Sequence, residues 1–129
     1  MASFQAAAVL LTAALAGGAP LYAAERLERI PSAFHGVWMA KPPQCHAPAT
    51  VESWLRIEAG RISFYESTGP VLAVVGSGRN EIGLITELSG EGSTWLHLLR
   101  LRLDSTGNRV AMETVGVEGA ATRVRCPDP

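Results

Sequence analysis

Apolar and polar side chains alternate along most of the chain after residue 24, and this period-two pattern is typical of β-strands. Turn residues interrupt the alternation at short intervals, as expected for successive antiparallel strands. No later stretch has the length and period of a helix that could cover a sheet. The pattern therefore predicts about eight strands, at residues 36–40, 51–58, 61–67, 71–75, 81–88, 94–104, 109–115 and a last strand that ends at Cys126.

The two faces of these predicted strands differ in character. In the longest one, residues 94–104, apolar positions and His97 occupy one side, whereas Arg100 and Arg102 occupy the other. The strand at residues 71–75 is apolar on both faces, which indicates either full burial or a face that meets another molecule. The side chains expected to fill or line the interior are Ile57, Phe64, Trp95, His97, Leu99 and Leu101.

Eight short strands joined by tight turns fit either an up-and-down barrel or a two-sheet sandwich. Closure of a barrel places the first and last strands side by side, and a bridge between Cys45 and Cys126 needs that neighbourhood. A sandwich supplies it only in particular strand orders. The predicted fold class is therefore all-β, an antiparallel up-and-down barrel of about eight strands with one disulfide.

The N-terminal residues form a separate segment, because every Asp, Glu, Lys and Arg side chain lies after Ala24. Residues 6–16 are an apolar run of signal-peptide size, followed by helix-breaking glycine and proline. We expect residues 1–23 to be a signal peptide and residues 24–129 to form a single β-barrel domain, with cleavage after Ala23 or after Ala24. The run is shorter than the ~20 residues of a membrane helix, so we expect a periplasmic or secreted protein without an integral span after cleavage.

Charge and length narrow the class of partner. The chain has 129 residues, with 11 Lys and Arg against 12 Asp and Glu and a formal net charge of -1. This length suits one core, and the charge provides no basic field that could hold a phosphate backbone. We therefore expect no nucleic-acid partner.

The two cysteines, Cys45 and Cys126, are an even pair in a chain that is predicted to be exported. In such chains an even pair indicates first a disulfide. Cys45 and the adjacent His46 could instead be metal ligands, but no second pair of Cys or His stands at ligand spacing. The sequence therefore predicts a Cys45–Cys126 disulfide and no metal site.

The histidines give little support to an enzyme. His35, His46 and His97 are dispersed, and no nucleophile stands at a readable spacing from them. His97 belongs to an otherwise apolar face, where a core or interior-facing histidine is the simpler interpretation. We expect no catalytic residue, no cofactor and no enzymatic activity.

The motif Gly36-Val37-Trp38 in the first predicted strand, with a basic residue in the last, resembles the calycin plan of small barrels, which includes the lipocalins. The resemblance implies a calycin-like barrel in which Trp38 packs under the barrel floor. It also implies that a late arginine, Arg123 or Arg125, stacks across this ring, a cation–π contact of about 1 kcal/mol. The expected floor residues are thus Gly36, Trp38, Arg123 and Arg125.

The motifs IPSA and GVW and a cysteine, all within residues 30–45, are similar to the start of bacterial periplasmic inhibitors of secreted metalloproteases. These inhibitors are also eight-stranded barrels. The resemblance implies that residues 24–30 form an arm that enters a protease cleft. Alternatively, residues 25–30 form one helical turn that plugs the barrel end through Leu27 and Ile30.

The motifs FHGVW, PQC, FYES-x-GPV and a terminal RC resemble those of uncharacterised small exported proteins of Gram-negative bacteria. We expect a non-catalytic binding or interaction protein, with an unknown protein or a small apolar ligand as its partner. The alternatives are an inhibitor of a secreted metalloprotease and a carrier of a small apolar ligand. Carriage depends on whether the lumen is open or packed, since eight strands allow either.

Overall fold

The computed structural model describes residues 2–3 and 24–128, so the predicted signal peptide lies outside the described residues apart from Ala2 and Ser3. The described chain contains nine strands and three short 3-10 turns, at Ser32–Phe34, Pro42–His46 and Pro48–Thr50. The strands are β1 (Glu25–Leu27), β2 (Gly36–Met39), β3 (Leu55–Ile57), β4 (Arg61–Phe64), β5 (Thr68–Gly76), β6 (Glu81–Gly90), β7 (Ser93–Leu103), β8 (Arg109–Thr114) and β9 (Ala121–Arg125).

Strands β2 to β9 form a closed antiparallel barrel with up-and-down connections. Each strand pairs with the next along the chain, and β9 pairs with β2 to complete the ring. At this seam Trp38 of β2 lies opposite Arg125 of β9. Each of the eight strands overlaps one of those predicted from the alternation, so the prediction of an all-β, eight-stranded barrel is confirmed.

Strand β1 is an addition that the alternation did not predict. It pairs with the second half of β5, where Leu27 lies opposite Val74, while the first half of β5 pairs with β4. The alternative of a helical turn in this segment is therefore wrong about the backbone. A strand on β5 gains ladder hydrogen bonds, whereas one isolated helical turn fixes several residues for a single bond. The side chains still pack as that alternative required, with Ile30 in the core and Leu27 against it.

The barrel interior is filled by apolar side chains from the inward faces of the strands and from residues 30–34. The buried polar side chain of Thr86 lies beside them, and its hydroxyl donates a 3.1 Å hydrogen bond to the His97 carbonyl. This polar group is therefore buried with a partner. The core comprises Ile30, Phe34, Trp38, Leu55, Ile57, Ile62, Val74, Ile82, Leu84, Leu88, Leu99, Leu101, Leu103 and Val110.

The disulfide joins Cys45, in the turn at Pro42–His46, to Cys126, which follows β9. The two Cα atoms are 5.6 Å apart, within the ordinary range for a disulfide, although 81 residues separate them in sequence. The predicted pairing is confirmed. The turn packs against β2, where Met39 is fully buried although it points to the opposite side of the strand from Trp38.

Candidate functional site

Arg125 and Trp38 hold one end of the barrel together. The guanidinium carbon of Arg125 lies 4.2 Å from the centroid of the Trp38 ring. Its nitrogens donate hydrogen bonds to the carbonyls of Ala33, His35 and Gly107. Arg125 thereby connects β9 to the segment before β2 and to the turn between β7 and β8. With its face stacked and its donors engaged in this way, Arg125 has a structural role.

The other two expected floor residues, Gly36 and Arg123, differ in their relation to this contact. Gly36 has a φ of +132°, and a Cβ atom there would lie 3.2 Å from Nη1 of Arg125, so glycine leaves room for the guanidinium. Arg123 donates from Nε to the Ser53 carbonyl at 2.9 Å. Burial lowers the pKa of the Arg123 guanidinium. Of the two candidate arginines, Arg125 is the one that stacks on Trp38.

Three of the residues expected at the interior pack in the centre of the barrel. Ile57, Leu99 and Leu101 are at most 2% exposed and belong to the continuous core. Their neighbours in the core come from most of the strands around the barrel. Side chains thus occupy the barrel centre.

The other three expected interior residues lie toward the opposite end of the barrel. Phe64 packs against the core, and its ring meets the His97 ring edge-on with centroids 5.6 Å apart. Burial lowers the pKa of His97, which favours the neutral imidazole near pH 7. Trp95 is 41% exposed, because β7 extends beyond the end of β8, whose last paired residue lies opposite Leu99.

The histidines remain apart in the fold. Nε2 of His35 is hydrogen-bonded to the Ile30 carbonyl at 2.7 Å, His97 contacts Phe64, and His46 is exposed. Within residues 2–3 and 24–128, no three side chains of His, Cys, Asp or Glu come together as a set that could hold a metal ion. In the same part of the chain, no helix has the length and apolar character needed to cross a membrane.

A groove of about 510 Å³ crosses the outer face of β5 to β8. Its floor follows from the strand register, which places Ala73 of β5 opposite Ile85 of β6, and Ile85 opposite Leu98 of β7. Next to Leu98, the backbone N–H of Val115 donates to the Leu98 carbonyl at 3.0 Å. Pairing therefore brings outward apolar side chains from four successive segments into one surface. This surface is hereafter the outer groove.

The outer groove presents several large apolar side chains to solvent. Ile85, Leu98 and Val75 retain 37–39% of their accessible surface, whereas Val115 and Val117 retain 70% and 64%. Single exposed leucines and valines are ordinary in globular proteins, but contiguous apolar patches commonly mark binding sites. The volume also falls within the range of ligand sites. The outer groove is therefore the candidate functional site.

One end of the outer groove carries ion pairs. Arg100 and Glu113 line it, and together with Glu81 and Arg102 they form four contacts of 3.3 to 3.8 Å between nitrogen and oxygen. These side chains are partly exposed, so the pairs contribute little to folding stability. Two positive and two negative charges balance each other. The groove therefore combines an apolar floor with a polar but electrically balanced end.

The alternation in sequence indicated only part of this surface. The strand predicted at residues 71–75 was apolar on both faces, and in the structure Val75 turns outward into the groove while Val74 is buried. Full burial of both faces is therefore wrong for this strand, and its outward face is accessible to solvent. The sequence offered no signal for Val115 and Val117, because their place beside Leu98 depends on how the chain leaves β8.

Comparison with known proteins yields no match, since no protein-family model, no curated protein and no solved structure matches the chain. The geometry of the site is therefore the basis for assigning a function.

Proposed function

We propose that this protein is a non-catalytic binding module of the extracytoplasmic space that holds an apolar partner in the outer groove. The observation that carries the proposal is the set of exposed apolar side chains, led by Leu98 and Val115, on one continuous concave surface. Covering such side chains with an apolar partner removes hydrocarbon surface from water, which favours binding by roughly 25 cal/mol per Å² before association costs.

The extracytoplasmic location rests on two features. The Cys45–Cys126 disulfide suits an oxidising compartment, where such bonds persist. The absence of Asp, Glu, Lys and Arg before Glu25 and the apolar run at residues 6–16 support an export signal. Together they favour the periplasm or the exterior of the cell.

The packing favours the outer groove over a ligand site in the lumen. Core side chains such as Leu99 and Leu101 fill the centre of the barrel, so an apolar ligand would have to displace them. The outer groove needs no such displacement, because its lining already faces solvent. The arm expected to enter a protease cleft is also a weaker candidate. Glu25–Leu27 pairs with β5 and Ile30 is buried, so this segment is not free to bind a protease.

The test maps where an apolar probe binds. The protein, purified from an export-competent host, is labelled with ¹⁵N and titrated with the neutral apolar dye N-phenyl-1-naphthylamine. We expect the amide shifts to concentrate at Val75, Ile85, Leu98 and Val115. Unchanged spectra in a solution saturated with the dye would refute the proposal. Shifts confined to core amides, such as those of Leu101 and Val110, would support carriage in the lumen instead.

A further inference from the structure

Strand β7 extends beyond its neighbour on one side. It pairs with β6 from Ser93 to Arg102, but β8 pairs only with its residues from Leu99 onward. Within residues 24–128, no strand pairs with the β8-side edge of residues 93–97. Residues 93–97 form a bare strand edge, hereafter the β7 edge, and it adjoins Leu98 at the end of the outer groove.

The direction of the backbone groups on the β7 edge follows from the hydrogen bonds at either end of the strand. The Leu98 carbonyl accepts from Val115, on the β8 side, whereas the Leu103 N–H donates to Asn80, on the β6 side. Backbone groups alternate between the two edges of a strand, so Leu96 and Thr94 direct their N–H and C=O groups to the same side as Leu98. These groups face the open edge.

The side chains along the β7 edge do not protect it. Leu96 is 60% exposed, and residues 93–98 (STWLHL) contain no proline, glycine or formal charge. Proteins normally blunt free edges with charges, prolines, bulges or very short strands. The free edge of β1 is blunted in this way, because β1 has only three residues and includes Glu25 and Arg26. The β7 edge is therefore suited to pairing with another chain.

Charge around the β7 edge favours a basic occupant. Glu87 lies opposite Leu96 and Glu91 lies at the tip of the β6–β7 hairpin, whereas residues 82–99 contain no Lys or Arg. Glu81 is at the far end of β6, where Arg100 and Arg102 balance its charge. Glu66 lies beside Trp95 and Glu91 in a small cleft at the tip of the β6–β7 hairpin. A second copy of this chain would bring the same carboxylates to the contact, whereas Lys or Arg side chains on a partner would complement them.

We propose that the β7 edge binds an extended, basic segment of a partner polypeptide, which adds a strand to the barrel wall beside β7. This inference rests on the proposed function, because it names the class of partner whose apolar side chains would reach the outer groove at Leu98. Strand addition supplies main-chain hydrogen bonds for affinity, while the groove and the acidic hairpin select side chains. A polypeptide in extended form matches the two-residue spacing of the free groups at Thr94 and Leu96.

The test uses a fluorescein-labelled hexapeptide of alternating lysine and valine, titrated into the protein and followed by fluorescence anisotropy. We expect saturable binding, at least tenfold weaker binding of the matched glutamate–valine peptide, and loss of binding when alternate peptide amides are N-methylated. In hydrogen exchange, the bound basic peptide should slow the amides of Thr94 and Leu96. Equal binding of the N-methylated peptide would overturn the proposal.

Two variants at one position separate the backbone from the side chain. Leu96→Pro removes an N–H that faces the open edge and no bond to β6, and prolines are tolerated on strand edges. Leu96→Thr removes the same side chain but keeps the N–H. We expect at least tenfold weaker peptide binding for Leu96→Pro and less than threefold for Leu96→Thr. Equal loss in both variants, or a dimer of the free protein whose Thr94 and Leu96 amides are already protected, would contradict strand addition.

Failure of strand addition is distinguishable from failure of the proposed function. N-phenyl-1-naphthylamine reports on the outer groove and needs no strand pairing. Dye binding at Leu98 without peptide binding would refute the β7 edge alone. Absence of dye binding would refute the proposed function, whatever the peptide does.

Discussion

Arg125 stacks on Trp38 across the seam where the last strand of the barrel pairs with the first strand of the ring, with 4.2 Å between the guanidinium carbon and the ring centroid. The same guanidinium donates to three backbone carbonyls from two separate segments, at Ala33, His35 and Gly107. Arg125 thus stabilises the pairing of β9 with β2 and holds both the segment before β2 and the β7–β8 turn against the end of the barrel.

Replacement of Arg125 should therefore destabilise the barrel. We expect Arg125→Ala to lower the free energy of unfolding by about 2–4 kcal/mol, from the lost cation–π contact and the carbonyls left without donors. Arg125→Lys should recover little, because an ammonium does not match three carbonyls and a ring together. Urea unfolding followed by tryptophan fluorescence measures the change. An effect below that of Arg123→Ala would contradict this role.

Reduction of the Cys45–Cys126 disulfide should lower the melting temperature by several degrees. The bridge closes a loop with a sequence separation of 81 residues. Loop entropy alone predicts roughly 4–5 kcal/mol for such a closure, as an upper value. Calorimetry with and without reductant measures the shift, with the Cys45→Ala, Cys126→Ala double variant as the control. Two titratable thiols in the folded, unreduced protein would contradict the bond.

Glycine at position 69 should be required for the packing of β5 against β6. A Cβ atom at Gly69 would lie 1.7 Å from the Glu87 carbonyl oxygen, whereas one at Gly60 would meet nothing within 4 Å. We expect Gly69→Ala to destabilise the fold by about 2 kcal/mol or more, and Gly60→Ala to change stability by less than about 0.5 kcal/mol. Denaturant unfolding of both variants provides the comparison. Equal stability of the two would argue against the close contact.

Stability should depend on pH through His97. Burial lowers the pKa of His97 from 6.5, so the unfolded chain takes up a proton at a higher pH than the folded chain does. The contribution of neutral His97 to the free energy of unfolding is therefore fully present above pH 6.5. It is lost as the pH falls through the pKa of His97 in the folded chain. Unfolding midpoints between pH 7.5 and pH 5 should fall less steeply for His97→Gln than for the wild type. Parallel profiles would show that His97 does not contribute.

Most strands of the barrel were predictable because apolar and polar side chains alternate along them, although a bulge between Val71 and Ala73 interrupts the alternation in β5. The alternation does not contain the register between neighbouring strands, as the pairing of Ile85 with Leu98 shows. Alternation places both side chains outward, but only the register between β6 and β7 shows that they are neighbours. A surface assembled across four segments therefore lay beyond the sequence pattern, although the doubly apolar strand at residues 71–75 indicated where it begins.

Two other features depended on lengths that alternation does not set. Trp95 belongs to the inward face, as the sequence predicts, yet it is substantially exposed because β7 extends beyond the end of β8. Strand β1 has only three residues, two of them charged, so it lacks an apolar repeat and forms because β5 offers an unpaired half. In both cases the neighbouring strand decides the outcome.

The central claim, that the outer groove is the binding surface, is tested most directly by the affinity of N-phenyl-1-naphthylamine for two matched leucine variants. Leu98 lines the groove and is 39% exposed, whereas Leu72 of β5 lies outside it and is 49% exposed. A carboxylate at Leu98 would have to be desolvated when the dye binds, and a loss of about 1.4 kcal/mol corresponds to a tenfold weaker affinity. Fluorescence titration should show at least this loss for Leu98→Glu and wild-type affinity for Leu72→Glu, with both variants folded. Equal affinities of the two variants would contradict the assignment of the outer groove as the binding surface.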